Sequence, residues 1–171
     1  MNHRQIFLQH VAQTSQAPLT LQLQRAEGCF LYDTDGKEYI DLISGIAVCN
    51  IGHNHPEINE AIIKQVGQYS HTMVYGELVQ SPQTLFAQKL AAHLPSTLNC
   101  TYFVNSGAEA IEGAMKLAKR TTGKTQMVAL TNAYHGSTQG ALSLMSNEYF
   151  TSAFRPLIPG IQFLDPEKPD F

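Results

Sequence analysis

The 171-residue sequence carries little charge and lacks any long apolar run. Charged residues make up 15% of the chain and the formal net charge is −3, so the composition favours neither nucleic acid nor an anionic membrane as a partner. No apolar segment approaches the roughly 20 residues that a membrane-spanning helix needs. We therefore expect neither a membrane protein nor a nucleic-acid-binding protein.

Cysteine is also scarce, and the three present lie far apart. Cys29, Cys49 and Cys100 show no Cys-x-x-Cys spacing, so we expect free thiols rather than a metal site or a disulfide framework. The first residues contain no long apolar segment and no small-residue cleavage site, which argues against a secretory signal. These features predict a cytoplasmic location.

Apolar residues make up 43% of the chain, which is typical of a globular protein with a hydrophobic core. We predict an N-terminal segment with a small antiparallel hairpin over residues 1–50 and a larger α/β region over residues 51–171. The elements predicted in the first part are, in order, a helix over 3–13, a strand over Leu19–Gln24, two strands around Asp35-Gly36, a helix from Pro56 to about Tyr69, and a helix that has Ser81 as its N-cap and ends at Pro95.

A strand, a helix and a second strand follow. They are predicted over Thr101–Val104, over Gly107 to about Thr122, and over Gln126–Thr131, an order that implies a parallel pair and an α/β sheet. Beyond a short helix, we expect proline-spaced irregular chain up to the last residue.

The turn before the long helix has the pattern of a capping box. The Ser106 hydroxyl is expected to accept from the Glu109 amide, while the Glu109 carboxylate reaches back to the Ser106 amide. Glu112 and Lys116 form a favourable four-residue pair, and Gly123 is placed to end the helix. A plain helix cap that binds nothing accounts for this pattern taken alone.

Two further features favour a ligand at this turn. Gly107 and Ala108 have minimal side chains where free backbone amides point outward, and the turn follows the carboxyl end of a predicted parallel strand. Tyr134 and His135 follow the next strand, where an aromatic side chain can stack on a flat ring. Together they predict a ligand with a phosphate at one end and a planar ring at the other, although neither nucleotide fingerprint, G-x-x-x-x-G-K-[ST] or G-x-G-x-x-G, is present.

Four stretches resemble the class III aminotransferases, the ornithine- and aminobutyrate-aminotransferase-like group of fold-type I pyridoxal-phosphate enzymes. They are DTDGKEYIDLISGIAVCNIGHNHPEINEAI, YGELVQSPQTLFAQKL, NSGAEAIEGAMKLAKRTTGK and AYHGSTQGALS, within a resemblance that runs from about residue 17 to the end. The resemblance implies that residues 51–171 are the first part of the large cofactor-binding domain, with an incomplete sheet. It also implies transamination between an amino acid or ω-amino acid and a 2-oxo acid.

The resemblance assigns roles residue by residue. Ser106, Gly107 and Ala108 would bind the phosphate of pyridoxal phosphate, and Tyr134 would stack on its ring with His135 beside it. The SGIAVCNIGH segment and the Tyr75–Ser81 region would approach the substrate or the partner subunit of a homodimer. Some family members that act on acyl-ornithine have an arginine after His-Gly, and Ser137 stands there instead, which argues against acetylornithine as the amino donor.

No lysine in the sequence is placed to form the Schiff base that the reaction requires. In the family that lysine and the acidic partner of the pyridine nitrogen lie downstream, so we expect this polypeptide to be an N-terminal portion that is inactive alone. Two other hypotheses remain open at this point: a non-catalytic phosphate- or nucleotide-binding module, and a metal hydrolase built on His53 and His55. A purely structural fragment is a third.

Overall fold

The structure, a computed structural model, describes residues 2–73 and 76–168. It divides into two compact units, Met1–Leu78 and Val79–Phe171. The predicted boundary at residue 50 lies within the first unit and stays a prediction. Across the two described ranges, no helix combines the length and the apolar character that a membrane span requires.

The first unit contains a three-stranded antiparallel sheet of order β1-β2-β3. The predicted hairpin at Asp35-Gly36 is confirmed, whereas the strand predicted over Leu19–Gln24 is displaced, because its ladder with β2 begins only at the Leu23–Asp33 pair. The elements are α1 His3–His10, β1 Leu23–Glu27, β2 Phe30–Asp33, β3 Glu38–Ile40, α2 Ser44–Ala47 and α3 Pro56–Val66.

A largely buried carboxylate organises the β2–β3 turn. Asp33 accepts from the backbone amides of Asp35 at 3.0 Å and Lys37 at 2.9 Å, and from the Tyr39 hydroxyl at 2.8 Å. The Tyr39 hydroxyl, followed by these amides, lowers the pKa of Asp33 below its ordinary value of 3.8. The hairpin is therefore fixed by an acceptor that works best when it is ionised.

A second carboxylate, Asp41, holds the loop that follows the sheet. It bonds the His53 ring at 2.7 Å and the Ser44 amide at 2.8 Å, and the His53 ring is the main cause of its lowered pKa. The element α2 is a left-handed turn, because φ is positive at all four of its residues, including 65° at Ile46. That conformation is costly for a β-branched side chain, so the bonds to Asp41 help to keep it.

The second unit contains a parallel two-stranded sheet of β4 and β5, paired from Met127–Ile161 to Leu130–Leu164. The predicted strand over Gln126–Thr131 is confirmed as β4. The elements are α4 Ser81–His93, α5 Gly107–Thr122, β4 Met127–Leu130, α6 Gln139–Ser143, α7 Glu148–Thr151, a 3-10 turn Ser152–Phe154 and β5 Ile161–Leu164.

Helix α5 begins and ends where the sequence predicts. Ser106 is the N-cap, and Gly123 has φ 68° and donates its amide to the Lys119 carbonyl, so the helix closes on a left-handed glycine. Helix α4 begins at Ser81 with Gln80 as its N-cap, one residue earlier than predicted.

The buried face of α5 meets β4 and α6 in a small apolar core. Met115, Ala129 and Leu144 are its buried members. The half-buried side chains that pack against them are Ile111, Met127, Ile158 and Ile161. The core thus ties the helix to both strands and to the chain that follows β4.

Two strand predictions are wrong in this unit. Thr101–Val104 joins no strand, and β4 pairs instead with β5, in the tail that was predicted to be irregular. Phe103 lies 5.9 Å from Phe86 between ring centroids, so side chains hold the 101–104 segment although it has no ladder partner among the described residues. The overall prediction of an α/β fold with an incomplete sheet is confirmed.

Met115→Ala should lower the free energy of unfolding by about 2–5 kcal/mol, because it opens a cavity in the core of the second unit. Leu117→Ala is the matched control, since Leu117 lies on the same helix and is 65% exposed. Urea unfolding followed by circular dichroism measures both. Equal losses in the two variants would contradict this description of the core.

Asp33→Asn should reduce the acid sensitivity of the fold. The pKa of Asp33 is lowered in the folded state, so its contribution is present above the unfolded pKa and is lost as the pH falls below about 3.8. Thermal melts from about pH 6 down to pH 2.5 should show a flatter acid limb for the variant than for the wild type. Parallel curves would show that the carboxylate does not support the turn.

Candidate functional site

The N-terminus of α5 leaves three consecutive backbone amides unused. The Ser106 hydroxyl accepts from the Glu109 amide at 3.1 Å, as predicted, but the Glu109 carboxylate accepts from the Asn105 amide at 2.6 Å rather than from Ser106. The amides of Ser106, Gly107 and Ala108 consequently have no acceptor within residues 2–73 and 76–168. We call these three residues the amide cradle.

The amide cradle has the properties of an anion site. Its amides sit at the positive end of a 16-residue helix, and no atom lies within 4 Å of the position that a Cβ on Gly107 would occupy. The Ser106 oxygen acts as an acceptor toward Glu109, so its hydroxyl hydrogen remains available for a second acceptor. An oxyanion therefore has both room and donors here.

The chain after β4 turns sharply toward α5. Thr131 donates its amide to the Leu164 carbonyl at 2.9 Å, and Asn132 has φ 58° and donates its amide to the Ser146 hydroxyl at 3.1 Å. A left-handed asparagine is a common way to reverse a chain in one residue. This turn starts the loop of residues 134–138, which carries Tyr134 and His135.

A glycine brings this loop against the amide cradle. A Cβ on Gly136, whose φ is 127°, would lie 2.6 Å from the Cβ of Ala108 and 3.0 Å from its Cα. Real Cβ atoms do not approach so closely, so only glycine allows the contact. The structure thus brings Ala108 next to the residue that follows His135, and joins the two predicted halves of the site.

Tyr134 offers an accessible aromatic ring. It is 66% exposed, and its ring makes an edge-to-face contact with Phe150, with 5.6 Å between the ring centroids and an interplanar angle of 74°. This contact restrains the ring, and the exposed part of the ring remains accessible for stacking. Phe150 was not predicted, because nothing in its local sequence distinguishes it from an ordinary core aromatic.

The His135 ring has a buried nitrogen without a partner. Its Nε2 atom, like the Thr131 hydroxyl, is buried and makes no hydrogen bond within the described parts of the chain. A buried polar atom without a partner costs free energy, which a ligand with a matching group can recover. Both atoms belong to residues 131–135, the segment that follows β4 and leads to Gly136, which contacts the amide cradle.

Glu112 is a site component that the sequence did not reveal. One of its carboxylate oxygens accepts from the Gly140 amide at 2.9 Å and from the Ala141 amide at 3.3 Å. The Thr138 hydroxyl, these two amides and the charge of Lys116 lower the pKa of Glu112 below its ordinary value of 4.5. The predicted partner Lys116 is thus secondary to bonds with residues 28 and 29 positions away, which no local pattern indicates.

The SGIAVCNIGH segment and the Tyr75–Ser81 region, which were also predicted to approach the substrate or a partner subunit, stay predictions in that role. Residues 44–53 of the SGIAVCNIGH segment belong to the first compact unit, and Tyr75 lies outside the described residues. In the histidine pair of GHNHP, the His53 ring is bonded to Asp41, and no group of three or more metal-binding side chains occurs within the described ranges. The hydrolase hypothesis gains no support from this arrangement.

Comparison with known proteins agrees with the geometry. The acetylornithine aminotransferase of Methanopyrus kandleri is 41% identical over 152 residues, which cover 88% of this chain and 38% of that protein. The solved adenosylmethionine-8-amino-7-oxononanoate aminotransferase of Methanocaldococcus jannaschii superposes with a TM-score of 0.87 at 29% identity, over 95% of this chain and 40% of that one.

An amine transaminase from an uncultivated Pseudomonas species, solved in its PLP-bound form, superposes with a TM-score of 0.79 at 26% identity, over 91% of this chain and 37% of that one. The chain spans about two fifths of the length of these relatives. The family model for aminotransferase class-III matches residues 11–171. The cradle, the loop and this match lead to one conclusion: the chain belongs to the class-III aminotransferase family.

Proposed function

We propose that this chain forms the phosphate-binding and ring-binding part of a pyridoxal-phosphate-dependent aminotransferase. The observation that carries the proposal is the amide cradle, which lies beside the loop of Tyr134 and His135 through the Gly136–Ala108 contact. A cofactor that carries both a phosphate and a planar ring matches such a pair of features. The family membership supports the same assignment.

The residues present fit this cofactor. The amides of Gly107 and Ala108 and the hydroxyl of Ser106 would hold the phosphate, since they are the donors left free by the helix cap. Tyr134 would cover the pyridine ring, and the unpartnered Nε2 atom of His135 supplies a polar group beside it. When bound, pyridoxal phosphate supplies the electron sink that stabilises a carbanion at the amino-acid substrate.

The substrates of the whole enzyme follow from the family. We assign it an amino acid or ω-amino acid as donor and a 2-oxo acid as acceptor. Ser137, at the position after His135-Gly136, places no positive charge there for a substrate carboxylate, which weakens an assignment to acetylornithine and leaves the amino donor open. We also propose a homodimer, as the family resemblance implies, located in the cytoplasm and with no nucleic acid or membrane as partner. The net charge of −3 supports the absence of those two partners, and the free cysteines support the cytoplasmic location.

The proton-transfer lysine is assigned to a part of the enzyme other than α5. The helical rise puts Lys116 about 15 Å from Ser106, and Lys119 is more distant still. That separation exceeds the reach of a lysine side chain toward a ring held at the amide cradle. The role of this chain is therefore to bind and orient the cofactor.

Tyr134→Ala should weaken pyridoxal phosphate binding by about 1–3 kcal/mol, or roughly 5- to 150-fold, because stacking on the ring is lost. Tyr149→Ala is the matched control, since Tyr149 also meets the edge of Phe150, at 5.1 Å, and is 85% exposed. Fluorescence titration measures both affinities, and the affinity for inorganic phosphate should stay the same in both variants.

Two outcomes of that titration would contradict the proposal. Equal losses for the two tyrosine variants would show that Tyr134 does not stack on the cofactor. Tighter binding of ADP than of pyridoxal phosphate by the wild-type chain would instead favour a nucleotide-binding module, since the amide cradle alone accepts either phosphate.

Borohydride reduction of the chain with pyridoxal phosphate should leave no stoichiometric adduct on one lysine. The expected result is low, scattered modification of exposed lysines, because none on α5 reaches the amide cradle. Peptide mass spectrometry locates the reduced adducts. A single lysine modified to one equivalent would overturn the assignment of the catalytic lysine elsewhere.

A further inference from the structure

Helix α5 and the chain after β4 meet at steps of three or four residues. Ala108 contacts Gly136, and Glu112 bonds the amides of Gly140 and Ala141. Met115 and Leu144 share the core at the next step. These positions on α5 lie on one face, because residues three and four apart are neighbours on a helix. Of these three α5 residues, Ala108, Glu112 and Met115, only Glu112 is charged.

The Glu112 carboxylate replaces the missing side-chain cap of α6. Thr138 occupies the N-cap position of α6, but its side chain accepts none of the helix amides. The first turn instead donates to Glu112, through Gly140 at 2.9 Å and Ala141 at 3.3 Å. A carboxylate at a helix N-terminus makes charge-assisted bonds and interacts favourably with the helix dipole.

Gly140 has no side chain, and this leaves room for the Glu112 carboxylate. A Cβ there would overlap the Glu112 carboxylate, with its carboxyl carbon only 2.6 Å away. Gly140, Ala141, Leu142 and Ser143 are all buried, so the helix that Glu112 caps cannot easily shift. The pKa of Glu112 is lowered, so the folded structure favours its ionised form.

The loop of residues 134–138 is therefore fixed at both ends. On one side, Asn132 is bonded to the Ser146 hydroxyl, and on the other side the first turn of α6 is bonded to Glu112 through the amides of Gly140 and Ala141. Between these anchors lie Tyr134 and His135. Because the anchors are few, removal of one should let the loop move away from the amide cradle.

We infer that Glu112 is a positioning residue for the cofactor ring. It acts through the 134–138 loop, setting Tyr134 and His135 beside the amide cradle without touching the cofactor itself. The inference rests on the proposed function, since it assumes that a ring occupies the space beside Tyr134.

The test compares Glu112→Gln with Glu148→Gln, a control in the same unit whose side chain is 80% exposed and lies 3.4 Å from Arg155. Glu112→Gln should weaken pyridoxal phosphate binding roughly fivefold or more, because an uncharged cap holds the loop less well. It should leave the affinity for inorganic phosphate unchanged, because the amide cradle is intact. Glu148→Gln should change neither.

Two further readouts separate positioning from a general loss of structure. In the Tyr134→Ala background, Glu112→Gln should have little further effect on pyridoxal phosphate binding, since both act through one ring contact. Hydrogen exchange at the Gly140 and Ala141 amides should also speed up in Glu112→Gln.

The outcomes distinguish the two proposals. If the wild type does not bind pyridoxal phosphate, both are overturned. If it binds and Tyr134→Ala weakens binding while Glu112→Gln does not, only the positioning role is wrong. Equal losses of phosphate and pyridoxal phosphate affinity in Glu112→Gln, additive with Tyr134→Ala, would assign Glu112 a merely structural role.

Discussion

The close packing of the chain after β4 against α5 is the constraint on which the candidate site depends. Gly136 approaches Ala108 to a distance that no other residue type allows, and Glu112 holds the next turn by two backbone amides. The apolar core of Met115, Ala129 and Leu144 completes the same contact face. Without this packing, the amide cradle and the aromatic loop would be separate features, each too common to indicate a ligand.

The local features of the site were predictable from the sequence, and the non-local ones were not. Ser106, Glu109 and Gly123 mark the ends of α5 through interactions within a few residues, so their pattern is readable. The role of Glu112 depends on residues 28 and 29 positions later. The strand β5 likewise forms only through its ladder with β4. The segment 101–104 has strand-like composition, but composition cannot supply the neighbour that a ladder requires.

Family membership and site geometry give two different kinds of information about this chain. The match over residues 11–171 establishes the family, and superposition on solved transaminases agrees with the fold. The geometry shows which residues lie together: the Ser106 hydroxyl caps Glu109, and Gly136, the residue after His135, packs against Ala108. In the proposed function, this part of the enzyme would hold the cofactor, and the proton-transfer lysine would lie elsewhere.

The central claim is that the free amides of the cradle bind the phosphate of a ring-bearing cofactor. Amide NMR spectra of the chain recorded during a titration with pyridoxal phosphate test it most directly. The account predicts large, saturable shifts at Gly107 and Ala108, together with shifts at His135 and Gly136. Inorganic phosphate should shift the first pair alone. Unchanged cradle amides, with the shifts confined to other residues, would contradict the account.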